Sequence, residues 1–203
     1  MIEGKEIEQV SKFVYLGHLT IENGNCDMEI KRRIEIARGA FNNIAKLVTS
    51  RSLGIPTRMR LIKCYVWSTL TYGAETWTIS KVIANRINSF ELWTYIRPLK
   101  LSYKEQKTNE EVLDMVNSKR QLLSIIAKLK CKYFGHIIRQ NSLQRQLLEG
   151  KSEGKRGRGR PRATWMDNIK DLTKKSYVQL VRMPMHRDEF RRMTSNVFET
   201  PGT

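Results

Sequence analysis

The sequence predicts a mainly α-helical protein that begins with a small β-hairpin, continues as a helical bundle and ends in helices that follow a flexible basic linker. Apolar residues recur at spacings of three and four along most of the chain, which is the period of a helix with one buried face. Only the first two dozen residues alternate apolar with polar or small residues around glycines. With 203 residues, of which 40% are hydrophobic, the chain is long enough to bury a core.

The N-terminal residues predict the β element. Residues 5–10 and 13–21 have the length and composition of two short strands, with Gly17 as a bend in the second. Asn23-Gly24 follows as a turn signal, because both residues tolerate the left-handed backbone that tight turns need. We therefore expect the β element to end by residue 24.

Three helices are predicted in the first half of the chain, over 27–48, 56–72 and 80–97. Pro56 lies near the first turn of the second helix, where a missing N–H costs nothing. Pro98 is expected to end the third helix, because proline disfavours helical backbone in the residue before it. The first helix has one apolar face, formed by Ile30, Ile34, Ala37, Phe41, Ile44 and Leu47.

Hydroxyl residues mark the starts of several helices in the second half. Thr108 and Glu111 fit a capping box, in which each side chain satisfies a backbone N–H of the first turn. Ser142 and Thr164 are expected to be N-caps. In chain order, helices are predicted over 108–116, 118–139, 142–148, 165–174 and 186–197.

The charge of the chain is strongly positive and is concentrated toward the C-terminus. The formal net charge is +17, and residues 119–203 carry 20 Lys or Arg against 7 Asp or Glu. The densest part is a glycine-rich segment, residues 150–163, which we call the basic strap. Glycines disfavour a helix and offer no side chain to a core, so the strap is expected to be extended and flexible. A polyanion such as nucleic acid is its expected partner, bound through Lys151, Lys155, Arg156, Arg158, Arg160 and Arg162.

The centre of the strap, Arg158-Gly159-Arg160-Pro161, resembles an AT-hook, a short element that lies in the minor groove of A·T-rich DNA. A glycine backbone fits the narrow groove, whose negative potential attracts arginine. Pro161 keeps the backbone extended. Two other interpretations stay open, namely a solvated basic linker and part of a nuclear-import signal.

Residues typical of catalysis or metal binding are sparse. The chain has no adjacent Asp pair, no glycine-rich phosphate loop followed by Lys-Ser, and no combination of Ser, His and Asp that suggests a nucleophile. Its cysteines, Cys26, Cys64 and Cys131, are far apart, which favours free thiols in a reducing compartment over zinc. Neither a signal peptide nor a transmembrane run is visible, so no membrane partner is expected. Taken alone, the residues favour a binding module without a metal or a cofactor.

An ordered set of strings, taken together, resembles the C-terminal part of non-LTR (LINE-type) retrotransposon reverse transcriptases. The set covers nearly the whole chain and ends in the basic strap and Thr164-Trp165. Its earlier members are the segments 13–19 (FVYLGHL), 27–41 (DMEIKRRIEIARGAF), 65–78 (YVWSTLTYGAETWT), 90–93 (FELW), 108–113 (TNEEVL) and 133–139 (YFGHIIR).

The resemblance implies a role in the polymerase for each region of the chain. Phe13, Tyr15, Leu16 and Gly17 would belong to a primer grip at the end of the polymerase palm. The following helices would form the thumb, with Lys31, Arg32, Arg33 and Arg38 along the template–primer backbone. The catalytic Asp-Asp motif of the palm is absent from the chain, so the magnesium ions of the reaction would belong to an upstream palm and fingers. The implied partners are DNA and RNA, bound without sequence specificity or with a preference for A·T, and the implied site of action is the nucleus.

These observations divide the chain into five predicted segments. They are a hairpin of the primer-grip type (1–24), a thumb-like helical domain (25–100), a further helical region (101–149), the basic strap (150–163) and C-terminal helices (164–203). The predicted function is nucleic-acid binding without polymerisation. A host-retained DNA-binding protein that uses the strap and an inert translated fragment are the alternatives.

Overall fold

The computed structural model describes residues 9–102, 105–149 and 163–197, and it confirms a mainly helical fold that begins with a hairpin. The elements are β1 Lys12–Tyr15, β2 His18–Ile21, α1 Asp27–Val48, α2 Ile55–Leu61, α3 Ser68–Thr71, α4 Lys81–Leu99, α5 Asn109–Met115, α6 Leu122–Arg139, α7 Leu143–Leu148, α8 Trp165–Thr173, α9 Tyr177–Arg182 and α10 Arg187–Val197. A π-helical turn, Ile62–Trp67, joins α2 to α3. Short 3₁₀ turns, Ala74–Thr76 and Met183–Met185, follow α3 and α9.

The hairpin lies within the stretch for which the sequence predicts a single strand. β1 and β2 pair antiparallel, with Lys12 opposite Ile21 and Tyr15 opposite His18. Leu16 and Gly17 form the two-residue turn, and both have positive φ, so this glycine reverses the chain instead of bending it. The prediction of a separate strand over 5–10 is wrong for residues 9 and 10, and the rest of that stretch lies outside the described residues.

The larger hydrophobic core is formed by α1, the continuous segment from α2 through the π-helical turn to α3, α4, α5 and the start of α6. The predicted apolar face of α1 is confirmed up to Phe41, but Val48 is buried at its end whereas Leu47 is exposed. Val48 lies seven residues after Phe41 and so returns to the same face. Leu47 lies six residues after Phe41 and is rotated about 120° away from that face.

A smaller core joins the second half of α6 to α8, α9 and α10. Cys131, Phe134 and Ile138 of α6 pack with Ile169, Leu180 and Phe190. α6 therefore contributes to both cores, since Leu122 and Ile126 belong to the larger one. The sequence did not predict α9, which begins with a capping box between Ser176 and Gln179.

Two predicted helix boundaries differ from the structure. α4 continues through Pro98 to Leu99 and ends where Lys100 adopts a left-handed backbone, because the bias against helix before proline is a preference that tertiary packing can override. α6 begins at Leu122 and not at Ser118. The buried carboxylate of Glu91 then accepts the N–H groups of Gln121 and Leu122 at the start of α6.

Candidate nucleic-acid interface

The first turn of α1 holds the hairpin through a buried carboxylate, Glu29. Its oxygens accept hydrogen bonds from the backbone N–H of Leu19 at 3.0 Å, from Arg32 Nη1 at 3.0 Å and from Arg33 Nε at 2.8 Å. The Nδ1 atom of His18 lies 3.6 Å away. Glu29 has no exposed surface, so it needs these partners to offset the loss of water around its charge.

Arg33 completes this anchor from the other side. Its side chain is buried, its guanidinium lies 4.6 Å from the centre of the Tyr72 ring, and its Nη2 donates to the carbonyl of Gly17. The hydroxyl of Tyr72 donates to the carbonyl of Leu16 at 3.1 Å. Both carbonyls of the hairpin turn thus accept hydrogen bonds from side chains of the helical part of the fold, Arg33 in α1 and Tyr72 just after α3. Arg33 therefore has a structural role here and does not face solvent as a phosphate contact would.

The hairpin itself presents apolar side chains to solvent. Phe13, Tyr15 and Leu16, the residues implied to form a primer grip, are 58%, 64% and 73% exposed. All four residues of β1 are exposed, so this strand is not covered on either face by the described residues. The result is a firmly anchored hairpin with an apolar tip, and Gly17 supplies the positive φ of its turn.

The remaining predicted cations of α1 line a groove between α1 and α4. Lys31, Arg32 and Arg38 face Arg86 of α4 across a space of about 770 Å³. One carboxylate, Glu35, lines the same groove and lies 3.5 Å from Arg38 in an exposed pair. Exposed pairs of this kind contribute at most about 1 kcal/mol, so a phosphate can replace Glu35 as the partner of Arg38 at little cost. We call this surface the α1/α4 groove.

Trp93 of α4 forms part of the wall of the α1/α4 groove. It is half-buried, with its ring packed 4.8 Å from Phe41. The guanidinium groups of Arg38 and Arg97 lie 5.6 and 5.7 Å from the centre of the indole ring. Phe90 stacks on the indole, with its ring centre 5.8 Å away, so the two guanidinium groups and the part of the indole that stays exposed lie side by side in the groove wall. An aromatic edge next to two charges suits a base and its phosphates.

The groove continues past Trp93 into a second depression of about 900 Å³. Trp93 and Arg97 line this depression, and Lys100 and Lys107 add two more cations. Lys107 is paired with Glu111 at 3.1 Å across an exposed turn of α5. Trp93 lines both depressions, and we call the two together the cationic valley.

The basic strap, with Lys151, Lys155, Arg156, Arg158, Arg160 and Arg162, lies outside the described residues, but both of its flanks are described. On one side, Arg145 of α7 pairs with Glu149 at 2.8 Å and donates to the carbonyl of Ile138 at 3.1 Å. On the other side, Thr164 opens α8 with a capping box, and the indole N–H of Trp165 donates to the carbonyl of Glu75 at 2.8 Å. The described residues on both sides of the strap are therefore held by contacts with the helical body.

A buried lysine and an asparagine attach α8 to the segment after α3. Lys130 Nζ donates to the carbonyl of Trp77 at 2.7 Å and to Asn168 Oδ1 at 2.8 Å. The backbone N–H of Ile79 donates to Asn168 Oδ1 at 2.6 Å, and the side-chain NH₂ of Asn168 donates to the carbonyl of Ile79 at 3.1 Å. Burial lowers the pKa of Lys130 to about 8, because the charged ammonium loses its water. This contact is structural and lies away from the cationic valley.

Acidic and metal-binding groups contribute little to these surfaces. In the described part of the chain, no three His, Cys, Asp or Glu residues converge as metal ligands would. Asp167 acts in the capping box of α8 and also pairs with Lys170 at 3.8 Å. Among the helices of the described ranges, none has the length and apolar character needed to span a membrane.

The sequence did not indicate Arg86, Trp93 and Arg97 as members of the interface. An indole at helical spacing usually packs in a core, so Trp93 alone gives no sign of a binding surface. A usable signal was present, since Trp93 and Arg97 are four residues apart and Arg86 lies seven residues before Trp93, which places all three near one face.

Comparison with known proteins gives one informative match. Over 175 residues the chain is 26% identical to the uncharacterized transposon-derived protein F52C9.6 of Caenorhabditis elegans, a stretch that covers 83% of this chain and 62% of that protein. The match supports a transposon-derived origin. No family model and no solved structure matches the chain. The chain thus spans less than two thirds of the length of this relative, whose name assigns no activity.

Proposed function

We propose that this transposon-derived chain is a nucleic-acid-binding part of a retrotransposon reverse transcriptase, and that it holds template–primer or target DNA without polymerising on its own. The observation that carries the proposal is the α1/α4 groove, where cations from two helices surround a half-buried Trp93. The ordered resemblance to non-LTR reverse transcriptases and the match to a transposon-derived protein support the same origin.

The geometry suits a polynucleotide better than a small anion. Cations continue along α4 from Arg86 to Arg97 and Lys100, so successive phosphates of a strand can each meet a positive charge. Lys31, Arg86 and Arg97 form no salt bridge with any described residue, and these charges are available to a ligand. Release of counterions from the nucleic acid would then drive binding.

The hairpin gives the proposal a second contact. Its apolar tip is exposed, and the Glu29 anchor fixes it beside the first turn of α1, whose next residues, Lys31 and Arg32, begin the groove. An apolar surface at one end of a cationic groove can pack against the sugar or base of a strand end. The parent reaction would need the upstream palm with its magnesium ions, so the chain alone is expected to bind in the nucleus but not to extend a primer.

The experiment is a salt titration of primer–template binding by fluorescence anisotropy, with the wild-type chain and a Lys31→Gln/Arg86→Gln variant. Each lost phosphate contact lowers the slope of log K against log salt by about 0.9 on a B-form duplex, so the variant should lose about 1.8. Lys46→Gln, on the same helix but outside the groove, is the matched control. Equal slopes for the wild type and the groove variant would show that the groove is not the binding surface.

The main alternative is a DNA-binding protein that uses the basic strap alone. That function predicts a preference for A·T-rich duplex over an RNA/DNA hybrid, and loss of the preference in Arg158→Ala/Arg160→Ala. It also predicts no effect of the groove variant. A magnesium-dependent primer-extension assay separates both functions from an active polymerase, because we expect no extension from this chain.

A further inference from the structure

A second cationic surface lies on the smaller core, between α6 and α10. A pocket of about 260 Å³ separates these helices and is lined by five basic side chains, Lys132, His136, Arg139, Arg187 and Arg191. Among the described residues that line it there is no Asp or Glu. We call it the α6/α10 pocket. It belongs to helices that take no part in the α1/α4 groove.

The helical period builds this pocket from two facing stripes. Lys132, His136 and Arg139 are spaced by four and three residues and share one face of α6. Arg187, Arg191 and Thr194 share a face of α10 in the same way. The two stripes face each other because the helices cross closely at Gly135. A Cβ atom at this position would lie 2.6 Å from Cε1 of the buried Phe190 ring, so only glycine allows this approach.

The charges of the pocket lack counter-charges. None of its lysine and arginine side chains forms a salt bridge with a described residue, whereas Arg32, Arg38 and Arg145 each pair with a carboxylate on their own helix. Arg139 instead donates one hydrogen bond to the carbonyl of Pro184 at 3.3 Å, so its guanidinium is held in place at the pocket by a neutral acceptor. Clustered like charges repel one another. An anion bound among them is attracted to each cation and so offsets this repulsion.

We propose that the α6/α10 pocket binds phosphate, as one phosphate group or two adjacent ones. The space of about 260 Å³ is smaller than the pockets of about 300–1,000 Å³ that enclose whole small-molecule ligands, so its size suits one or two phosphate groups better than an enclosed nucleotide. Arginine is the side chain best suited to phosphate, since its planar guanidinium can donate two parallel hydrogen bonds, and the pocket has three arginines. Free diphosphate and a polynucleotide backbone both present this chemistry, and the test below distinguishes these two sources.

The test uses the full chain and two probes, inorganic pyrophosphate and a ten-residue oligothymidylate with a 5′ hydroxyl. Isothermal titration should give saturable pyrophosphate binding, weakened at least about tenfold in Arg187→Gln/Arg191→Gln, because hydrogen bonds to charged groups contribute strongly. Arg192→Gln, an exposed position of α10 outside the pocket, is the matched control and should bind as the wild type does. Lys132→Gln/His136→Gln removes two basic side chains of the opposite stripe. Because it changes a different helix, the proposal can still be tested if one of the two pocket variants does not fold.

The two probes also identify the source of the phosphate. If oligothymidylate displaces pyrophosphate and the Arg187/Arg191 variant lowers its salt slope by about 1.4, the pocket holds a backbone. If pyrophosphate binds without displacement, the ligand is free diphosphate. Absence of saturable binding of both probes, or binding that both pocket variants leave unchanged while they stay folded, overturns the proposal. Pyrophosphate binding should survive in Lys31→Gln/Arg86→Gln, so failure of the α1/α4 groove proposal would not affect this result.

Discussion

Replacing Glu29 with alanine should destabilise the chain by about 3 kcal/mol, because it removes the partner of a buried cation. Glu29 is fully buried and accepts hydrogen bonds from Leu19, Arg32 and Arg33. Removing one member of a buried ion pair typically costs about 3–5 kcal/mol. We expect the lower end of that range, since Arg33 keeps its contacts with Gly17 and the Tyr72 ring and Arg32 can turn to solvent.

Urea unfolding followed by circular dichroism measures the change. A double-mutant cycle with Arg33→Met adds the control, because replacing both charges with apolar side chains removes the buried unpaired group. The variant Glu29→Ala/Arg33→Met should therefore be more stable than the sum of the single changes predicts, by at least about 1 kcal/mol. A cost below about 1 kcal/mol for Glu29→Ala, or a cycle without coupling, would refute the idea that this carboxylate anchors the hairpin.

Three further predictions follow from other contacts. Gly135→Ala should lower stability by about 1–3 kcal/mol in thermal unfolding, because its Cβ would meet the Phe190 ring at 2.6 Å; an unchanged melting temperature would show that α10 can shift freely. Lys130 has a folded-state pKa of about 8, below its ordinary 10.5, so its folded form gains stability as pH rises from about 8 to 10.5. The wild type should then gain about 1 kcal/mol over Lys130→Met between pH 7.5 and 9, and a parallel pH dependence of the two proteins would contradict the assignment. Glu91→Ala should cost about 2 kcal/mol and Glu91→Gln clearly less in urea unfolding, because glutamine keeps an acceptor for the N–H groups of Gln121 and Leu122; equal costs would contradict this role.

The helices were largely predictable because their signals are local. The apolar spacing of α1 and the capping boxes at Thr108 and Thr164 depend on residues within one or two turns, and the structure has helices at those places. The predictions were wrong at places where contacts with residues distant in the sequence determine where an element begins or lies. The start of α6 depends on Glu91, thirty residues earlier, and the position of the hairpin depends on contacts of its turn with Arg33 and Tyr72.

The same contrast between local signals and contacts of distant residues applies to the candidate interface. The resemblance implied contacts with the nucleic-acid backbone for Lys31, Arg32, Arg33 and Arg38 alike. Nothing in the sequence set Arg33 apart, although the structure buries it against Glu29. Arg86 was not singled out, because its place beside α1 depends on how α4 packs against that helix. The sequence did not indicate the pocket between α6 and α10 for the same reason, since Arg139 and Arg187, the nearest members of its two stripes, are 48 residues apart.

The most direct test of the central claim is photocross-linking of a primer–template that carries 4-thiothymidine near the primer 3′ end, followed by mass spectrometry of the cross-linked peptides. We predict cross-links to the peptides that contain Lys31–Arg38 and Trp93, the two walls of the α1/α4 groove, and to the hairpin tip at Tyr15 and Leu16. Addition of unlabelled primer–template should remove them. Cross-links confined to the basic strap, with none on α1 or α4, would contradict the proposal that the groove holds nucleic acid.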